Sequence, residues 1–288
     1  MNRYYCQDIS ITWRTIKGLV VPMTYHYNVK IVYSGDRAEL YHYQLAQQRG
    51  TQARNQNGRK GNGNGSNKEK NRRQTLNIAR NSIIRLVNSN KDLLSFITLT
   101  YEENMQDISQ SKADLHKCIN KIQRNVDGFK YLYVLEYQDR GAIHYHMLCN
   151  YPIDFKCAKS NRRKPQCQKE AETRFMIDYW PYGFVDIRDL KSEGNTNVGL
   201  YVSTYIVKSL ESVNMDGKRV YGYSRNLNRP VEETMLIQTD IFEILQEVNK
   251  HYKVSYGNSY DQVIDYGDEI KIGTVNYFDM WRRGDALQ

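Results

Sequence analysis

The chain has 288 residues, and with 40% hydrophobic and 25% charged residues most of it should fold around an apolar core. Its formal net charge of +9 favours a polyanionic partner such as nucleic acid. No apolar run approaches the roughly 20 residues that a membrane span needs, and the polar start MNRYYCQDIS resembles no secretion signal. The five cysteines lack the dense spacing of a disulfide framework and are typical of reduced thiols. We therefore expect a cytoplasmic protein of one large or two small domains.

Composition divides the chain into four segments. Residues 1–46 form an N-terminal β-rich segment of short apolar runs. Residues 47–73 contain eight basic residues, one acid and no large apolar side chain, so we predict a flexible basic linker. Residues 74–230 form the main domain, and residues 231–288 contribute a C-terminal helix and strands.

The hydrophobic pattern of the main domain mixes helices with strands. Predicted helices cover residues 75–88, 109–125 and 198–210, and predicted strands cover 95–101, 130–137, 142–150 and 184–188. A further helix is predicted over 232–250, followed by short strands. Because these strands can pair as antiparallel neighbours, the predicted fold is α+β, a central antiparallel sheet flanked by helices.

The segment KYLYVLEYQDRGAIHYHMLCN predicts a hairpin with chemical potential. His144 and His146 are one residue apart on a strand, so their side chains share a face. A three-residue turn over 139–141, with its glycine in the left-handed conformation, would set Glu136 opposite His144. A two-residue turn would instead send Glu136 to the other face.

Two imidazoles and a carboxylate leave coordination positions open, which suits a divalent ion that also holds a substrate. Nitrogen ligands favour Mn²⁺ over Mg²⁺. The competing interpretation is a plain cross-strand histidine pair, because a His-x-His sequence also arises by chance.

The segment NVGLYVSTYIVKSL predicts a second chemical group. On a helix, Tyr201, Tyr205 and Lys208 lie at positions i, i+4 and i+7 and share a face. A phenol near a cation ionises more readily and can attack phosphorus, while lysine can hold the phosphate. The alternative is that both tyrosines lie at the edge of the core.

Three strings in this order resemble the HUH-type rolling-circle replication initiators: FITLTY, then IHYHML, then YVSTYIVK. They are most similar to the replication proteins of single-stranded DNA phages and related plasmids or prophages, over roughly residues 92–232. Tyr145 stands where the pattern prefers an aliphatic residue, and Thr204 stands where a lysine often precedes the second tyrosine.

The resemblance implies a ferredoxin-like or RRM-like sheet with a metal bound by His144, His146 and Glu136. It implies that Tyr205 attacks a single-stranded origin and forms a 5′-phosphotyrosine, which releases a 3′-OH. Tyr201 or a DNA 3′-OH would perform a second transfer, with Lys208 beside them.

Single-stranded origin DNA is therefore the expected partner. No phosphate-binding G-x-x-x-x-G-K-[ST] loop occurs in the sequence, so strand separation would fall to a host helicase and extension to a host polymerase, in a bacterial cytoplasm.

Two alternatives remain at this point. One is a relaxase or transposase of the same HUH class, although relaxases usually place the tyrosine before the histidine pair. The other is a non-catalytic nucleic-acid-binding protein, which the basic linker and the 24 tyrosines would also suit. Metal-dependent formation of a covalent DNA adduct separates the enzymes from the binding protein.

Overall fold

The computed structural model describes residues 12–16, 19–50, 66–138, 140–155, 164–190, 221–238, 240–265 and 269–283. The chain forms two compact units, one combining residues 1–63 with 230–288 and the other spanning residues 64–229. None of the helices in the described ranges is both long enough and apolar enough to cross a membrane.

The described elements, in chain order, are strands β1 Thr12–Ile16, β2 Leu19–Ser34 and β3 Arg37–Gly50, helix α1 Ser66–Asn88, strand β4 Ser95–Tyr101, helix α2 Ile108–Asn125, strands β5 Tyr131–Tyr137 and β6 Ile143–Cys149, helix α3 Gln166–Asp178, strands β7 Gly183–Asp189, β8 Tyr221–Tyr223 and β9 Val231–Met235, helix α4 Ile241–Asn249, and strands β10 Tyr252–Asp265 and β11 Glu269–Arg282.

The first unit is built on an antiparallel sheet of six strands in the order β1-β2-β3-β11-β10, with β9 paired to β2. Strand residues from β2, β3 and β11 form its core with the start of α4, namely Val29, Ile31, Ala38, Leu40, Ile241 and Met280. Asp240 caps α4 by accepting a hydrogen bond from the backbone N–H of Phe242. The N-terminal and C-terminal segments of the chain therefore share one core.

The second unit contains a five-stranded antiparallel sheet in the order β7-β4-β6-β5-β8. Strand β4 shows the alternation that this position requires. Ile97 and Leu99 are fully buried, while Thr98 and Thr100 between them are partly exposed and lie on the other face. Strands β6 and β5 lie at the centre of the sheet, so both have neighbours on each side.

Helix α2 covers the apolar face of this sheet. Asp107 caps its first turn, because the carboxylate accepts hydrogen bonds from the N–H groups of Ser109 and Gln110. The predicted stripe of Leu115, Ile119 and Ile122 is buried in the same core as the sheet residues.

Helix α3 protects the edge strand β7. The Gln168 amide donates to the carbonyl of Ile187 at 2.9 Å, and the Glu172 carboxylate accepts from the N–H of Ile187 at 3.0 Å. Lys164 pairs with Glu172 at 2.7 Å and with Asp186 of β7 at 2.5 Å. Side chains of α3 thus take the place of a further strand at this edge.

The α+β prediction is confirmed, with antiparallel sheets and flanking helices. The predicted linker, residues 47–73, is too long at both ends. Strand β3 continues to Gly50, where it pairs with Thr24 of β2. Helix α1 begins at Ser66, since the Lys, Glu, Arg and Gln residues that follow favour helix.

The helix predicted over 232–250 is wrong in its first part. Residues Val231–Met235 instead pair with β2 from Val29 to Tyr33, because an open strand edge overrides the local helix preference of Glu and Met. The helix begins only at Ile241. Strands β3 and β8 and helix α3 were not predicted.

Candidate metal centre

The β5–β6 hairpin has the predicted geometry. Gly141 has a φ of 81°, and its N–H donates to the carbonyl of Gln138 at 2.7 Å. The N–H of Gln138 donates to the carbonyl of Ala142 at 2.9 Å. Glu136 is therefore directly opposite His144, and the predicted register is confirmed.

This register brings three side chains together on one face of the sheet. One ligand atom from each of Glu136, His144 and His146 lies within 4.8 Å of the others. The Nε2 atom of His146 is 2.5 Å from a carboxylate oxygen of Glu136. The histidine rings are 6.0 Å apart between centroids and nearly perpendicular. All three side chains are partly buried.

The amide of Gln138 contacts His144. Arg140 donates to the amide oxygen of Gln138 at 3.0 Å, which turns the amide nitrogen toward Nε2 of His144 at 2.8 Å. The amide N–H then donates to this nitrogen, so its lone pair is unprotonated. Burial, and next the neighbouring His146, lower the pKa of His144 to about 4. His144 is therefore neutral near pH 7, as a metal ligand must be.

Strand β4 contacts the ring of His146. The hydroxyl of Thr98 lies 3.2 Å from Nδ1 of His146, and the ring of Phe96 lies parallel to the imidazole at 5.7 Å between centroids. Thr98 is directly opposite His146 in the β4–β6 pairing. Sequence reasoning did not predict these contacts, because β4 and β6 are far apart in the chain and no short turn fixes their register.

Tyr145, between the histidines, points to the opposite face. It is fully buried, and its hydroxyl lies 2.9 Å from the hydroxyl of Ser111 on α2. Its ring packs edge-on against Tyr133 at 5.9 Å. Burial raises the pKa of its phenol, so Tyr145 is a core residue and stays protonated. The residue that departs from the HUH pattern thus anchors the strand to the helix beneath it.

The donor set fits a divalent cation. Two imidazoles and one carboxylate, grouped within 4.8 Å and partly exposed, can hold an ion and leave positions for a phosphate oxygen. Glu136, His144 and His146 are the residues that would hold it.

The predicted tyrosine helix over 198–210 lies outside the described residues. Tyr201, Tyr205 and Lys208 therefore stay predictions from the sequence.

The fold and the site together define an α+β unit that carries a two-histidine, one-carboxylate cluster on an antiparallel sheet. The model of a family described as replication-associated protein, of the ORF2 type, matches residues 94–210. This range contains β4, the cluster and all three residues of the tyrosine group. Neither the curated proteins nor the solved structures give a match. The similarity supports a role in the initiation of replication, with nuclease activity as the chemistry to test.

Proposed function

We propose that this chain is a rolling-circle replication initiator that nicks and rejoins single-stranded origin DNA. The observation that carries the proposal is the convergence of Glu136, His144 and His146 on one sheet face. The similarity over residues 94–210 supports it, because the matched segment contains both the cluster and the tyrosines.

In the proposed reaction, the phenolate oxygen of Tyr205 attacks the scissile phosphorus. A bond forms between this oxygen and phosphorus, the bond from phosphorus to the 3′-oxygen breaks, and that oxygen takes up a proton to become a 3′-OH. The products are a 5′-phosphotyrosine and a primer end. Reversal by Tyr201, or by an incoming 3′-OH, would rejoin the strand.

The side chains of the cluster and the tyrosine segment would have separate tasks. When bound, a Mn²⁺ or Mg²⁺ ion supplies charge stabilisation to the phosphate that is being attacked. Lys208 would hold a phosphate oxygen and favour the ionised phenol of Tyr205. The partly buried position of Glu136, His144 and His146 limits competition from water.

The charge distribution supports DNA as the partner. Residues 64–229 contain 27 Lys and Arg against 18 Asp and Glu, whereas the other unit contains 14 of each. The whole excess of +9 therefore belongs to the unit that carries the cluster. A basic unit of this kind binds a single strand in a salt-dependent way. Host helicase and polymerase would supply strand separation and extension.

Covalent adduct formation tests the proposal. The full chain is incubated with MnCl₂ and 3′-labelled single-stranded oligonucleotides that tile the replicon encoding it, and adducts are separated in denaturing gels. We expect one oligonucleotide to give a labelled protein band, since the label stays on the 5′-phosphotyrosine fragment. The band should be lost with EDTA and in Tyr205→Phe.

Tyr201→Phe is the matched control, because it removes the same hydroxyl at the neighbouring helical position. It should still form the first adduct. An adduct that survives Tyr205→Phe but not Tyr201→Phe would reassign the nucleophile. Specific binding of one oligonucleotide with no adduct under any metal would overturn the enzyme proposal in favour of a binding protein.

A further inference from the structure

The ring of His146 is held at the nitrogen that faces away from the cluster. Its Nε2 faces Glu136 at 2.5 Å, and its Nδ1 lies 3.2 Å from the hydroxyl of Thr98. Thr98 is on the neighbouring strand β4, directly opposite His146. The two nitrogens therefore have different partners, and only Nε2 is directed at the other two ligands.

Phe96 restrains the same ring from a second direction. Its ring is inclined only 10° to the imidazole at 5.7 Å between centroids. Phe96 is 3% exposed and belongs to the core of its unit, so it is a fixed surface. Because alternate residues of a strand share a face, Phe96 and Thr98 contact one imidazole, Phe96 over its plane and Thr98 at its edge.

We propose that Thr98 is a positioning residue of the metal centre, whose hydroxyl accepts the Nδ1–H of His146 and directs Nε2 at the cation. The inference rests on the proposed metal site. A threonine hydroxyl can accept or donate, so the contact persists whichever ring nitrogen carries the proton. The strand FITLTY thereby has a task in ordering a ligand rather than in touching DNA.

The expected size of the effect follows from other metal sites. Loss of a residue that hydrogen-bonds a metal-bound histidine lowers metal affinity roughly 10- to 100-fold. Thr98→Val removes the hydroxyl but keeps the size and β-branching of the side chain. We expect its dissociation constant for Mn²⁺ to rise by that factor. Thr98→Ser keeps the hydroxyl and should bind Mn²⁺ nearly as tightly as the wild type.

Thr100→Val is the matched control. Thr100 lies on the same strand and the same face, opposite His144. Its hydroxyl makes no hydrogen bond to any residue within the described ranges. The substitution changes the strand in the same way as Thr98→Val, so Mn²⁺ affinity should stay at the wild-type value.

Isothermal titration of each full-length chain with MnCl₂ measures these affinities, and thermal unfolding in EDTA checks that the metal-free chains fold alike. If Thr98→Val is less stable in EDTA, Thr98→Ala makes the same comparison and must show the same loss of affinity. Weak binding by the chains without the hydroxyl, together with near-wild-type binding by Thr98→Ser and Thr100→Val, supports the inference.

Three results would overturn it: wild-type affinity in Thr98→Val, an equal loss in Thr98→Ser, or an equal loss in Thr100→Val. No Mn²⁺ binding by the wild type would overturn the metal site together with this inference. Normal Mn²⁺ binding without any DNA adduct would instead overturn the proposed function and leave the role of Thr98 intact.

Discussion

Tyr145 separates the two faces of β6 at the scale of single residues. It is adjacent to both histidines in the sequence, yet its ring is fully buried and its hydroxyl contacts Ser111 of α2. The hydroxyl of Ser111 also donates to the carbonyl of Ile108 at 3.0 Å, so it keeps a partner without Tyr145. Changes at Tyr145 should therefore act on stability and leave the cluster unchanged.

Replacing Tyr145 with phenylalanine tests this separation. Tyr145→Phe loses one buried hydrogen bond and should lower the free energy of unfolding by about 1 kcal/mol. Tyr145→Leu also leaves a cavity and should cost roughly 2–4 kcal/mol. Urea unfolding measures both, and titration with MnCl₂ should give wild-type affinity for Tyr145→Phe. A loss of metal affinity without a loss of stability would contradict the assignment of Tyr145 to the core face.

Three of the candidate ligands could be read from the sequence at this scale. The one-residue spacing of His144 and His146 and the left-handed turn at Gly141 are local features, and they fix the position of Glu136. Thr98, Phe96 and Gln138 could not be predicted in the same way. Their contacts depend on side-chain directions and on a strand pairing between residues about 50 apart.

At the scale of elements, the edge of β7 depends on one buried carboxylate. Glu172 is 6% exposed and accepts hydrogen bonds from the N–H of Ile187 at 3.0 Å and from Gln168 at 3.1 Å, besides its pair with Lys164. Burial raises the pKa of the neighbouring Asp186, but Lys164 and then Arg188 outweigh it, so the pKa is lowered overall. The two carboxylates and Lys164 thus act as one network.

Glu172→Ala should destabilise the second unit by roughly 1–3 kcal/mol, because it leaves the N–H of Ile187 without its acceptor. Glu172→Gln keeps an oxygen acceptor and should cost less. Glu170→Ala removes the same charge from an exposed position of α3 and should change little. Urea unfolding gives the magnitudes. Hydrogen exchange gives the location, since only the β7 amides should exchange faster in Glu172→Ala.

An equal loss of stability in Glu170→Ala, or faster exchange spread over the whole sheet, would show that the carboxylate of Glu172 does not protect this edge.

Elements with a clear local pattern were predictable, and those fixed by distant partners were not. Residues Ser95–Tyr101 are β-branched and aromatic, and they form the predicted strand. Residues Val231–Met235 contain good helix formers, but the backbone of β2 captures them as a strand. Helix α3 buries few apolar side chains and uses Gln168 and Glu172 as partners, so its sequence lacks an apolar stripe.

At the scale of the whole molecule, the order of the chain and the order of the units differ. Residues 1–63 and 230–288 share a sheet, so the unit with the cluster is inserted between two halves of another unit. The pairing of β3 with β11 joins residues more than 200 positions apart, from Arg37 to Trp281. No sequence pattern of either strand specifies such a partner, so composition alone suggested separate terminal segments.

Electron density from a crystal of the full chain grown with MnCl₂ tests the central claim most directly. Anomalous scattering at the manganese edge identifies the ion independently of the protein atoms. We predict one strong peak bounded by the side chains of Glu136, His144 and His146, and its loss in crystals of His144→Ala. A manganese peak elsewhere with none at these three side chains, or an unchanged peak in His144→Ala, would contradict the assignment of the metal centre.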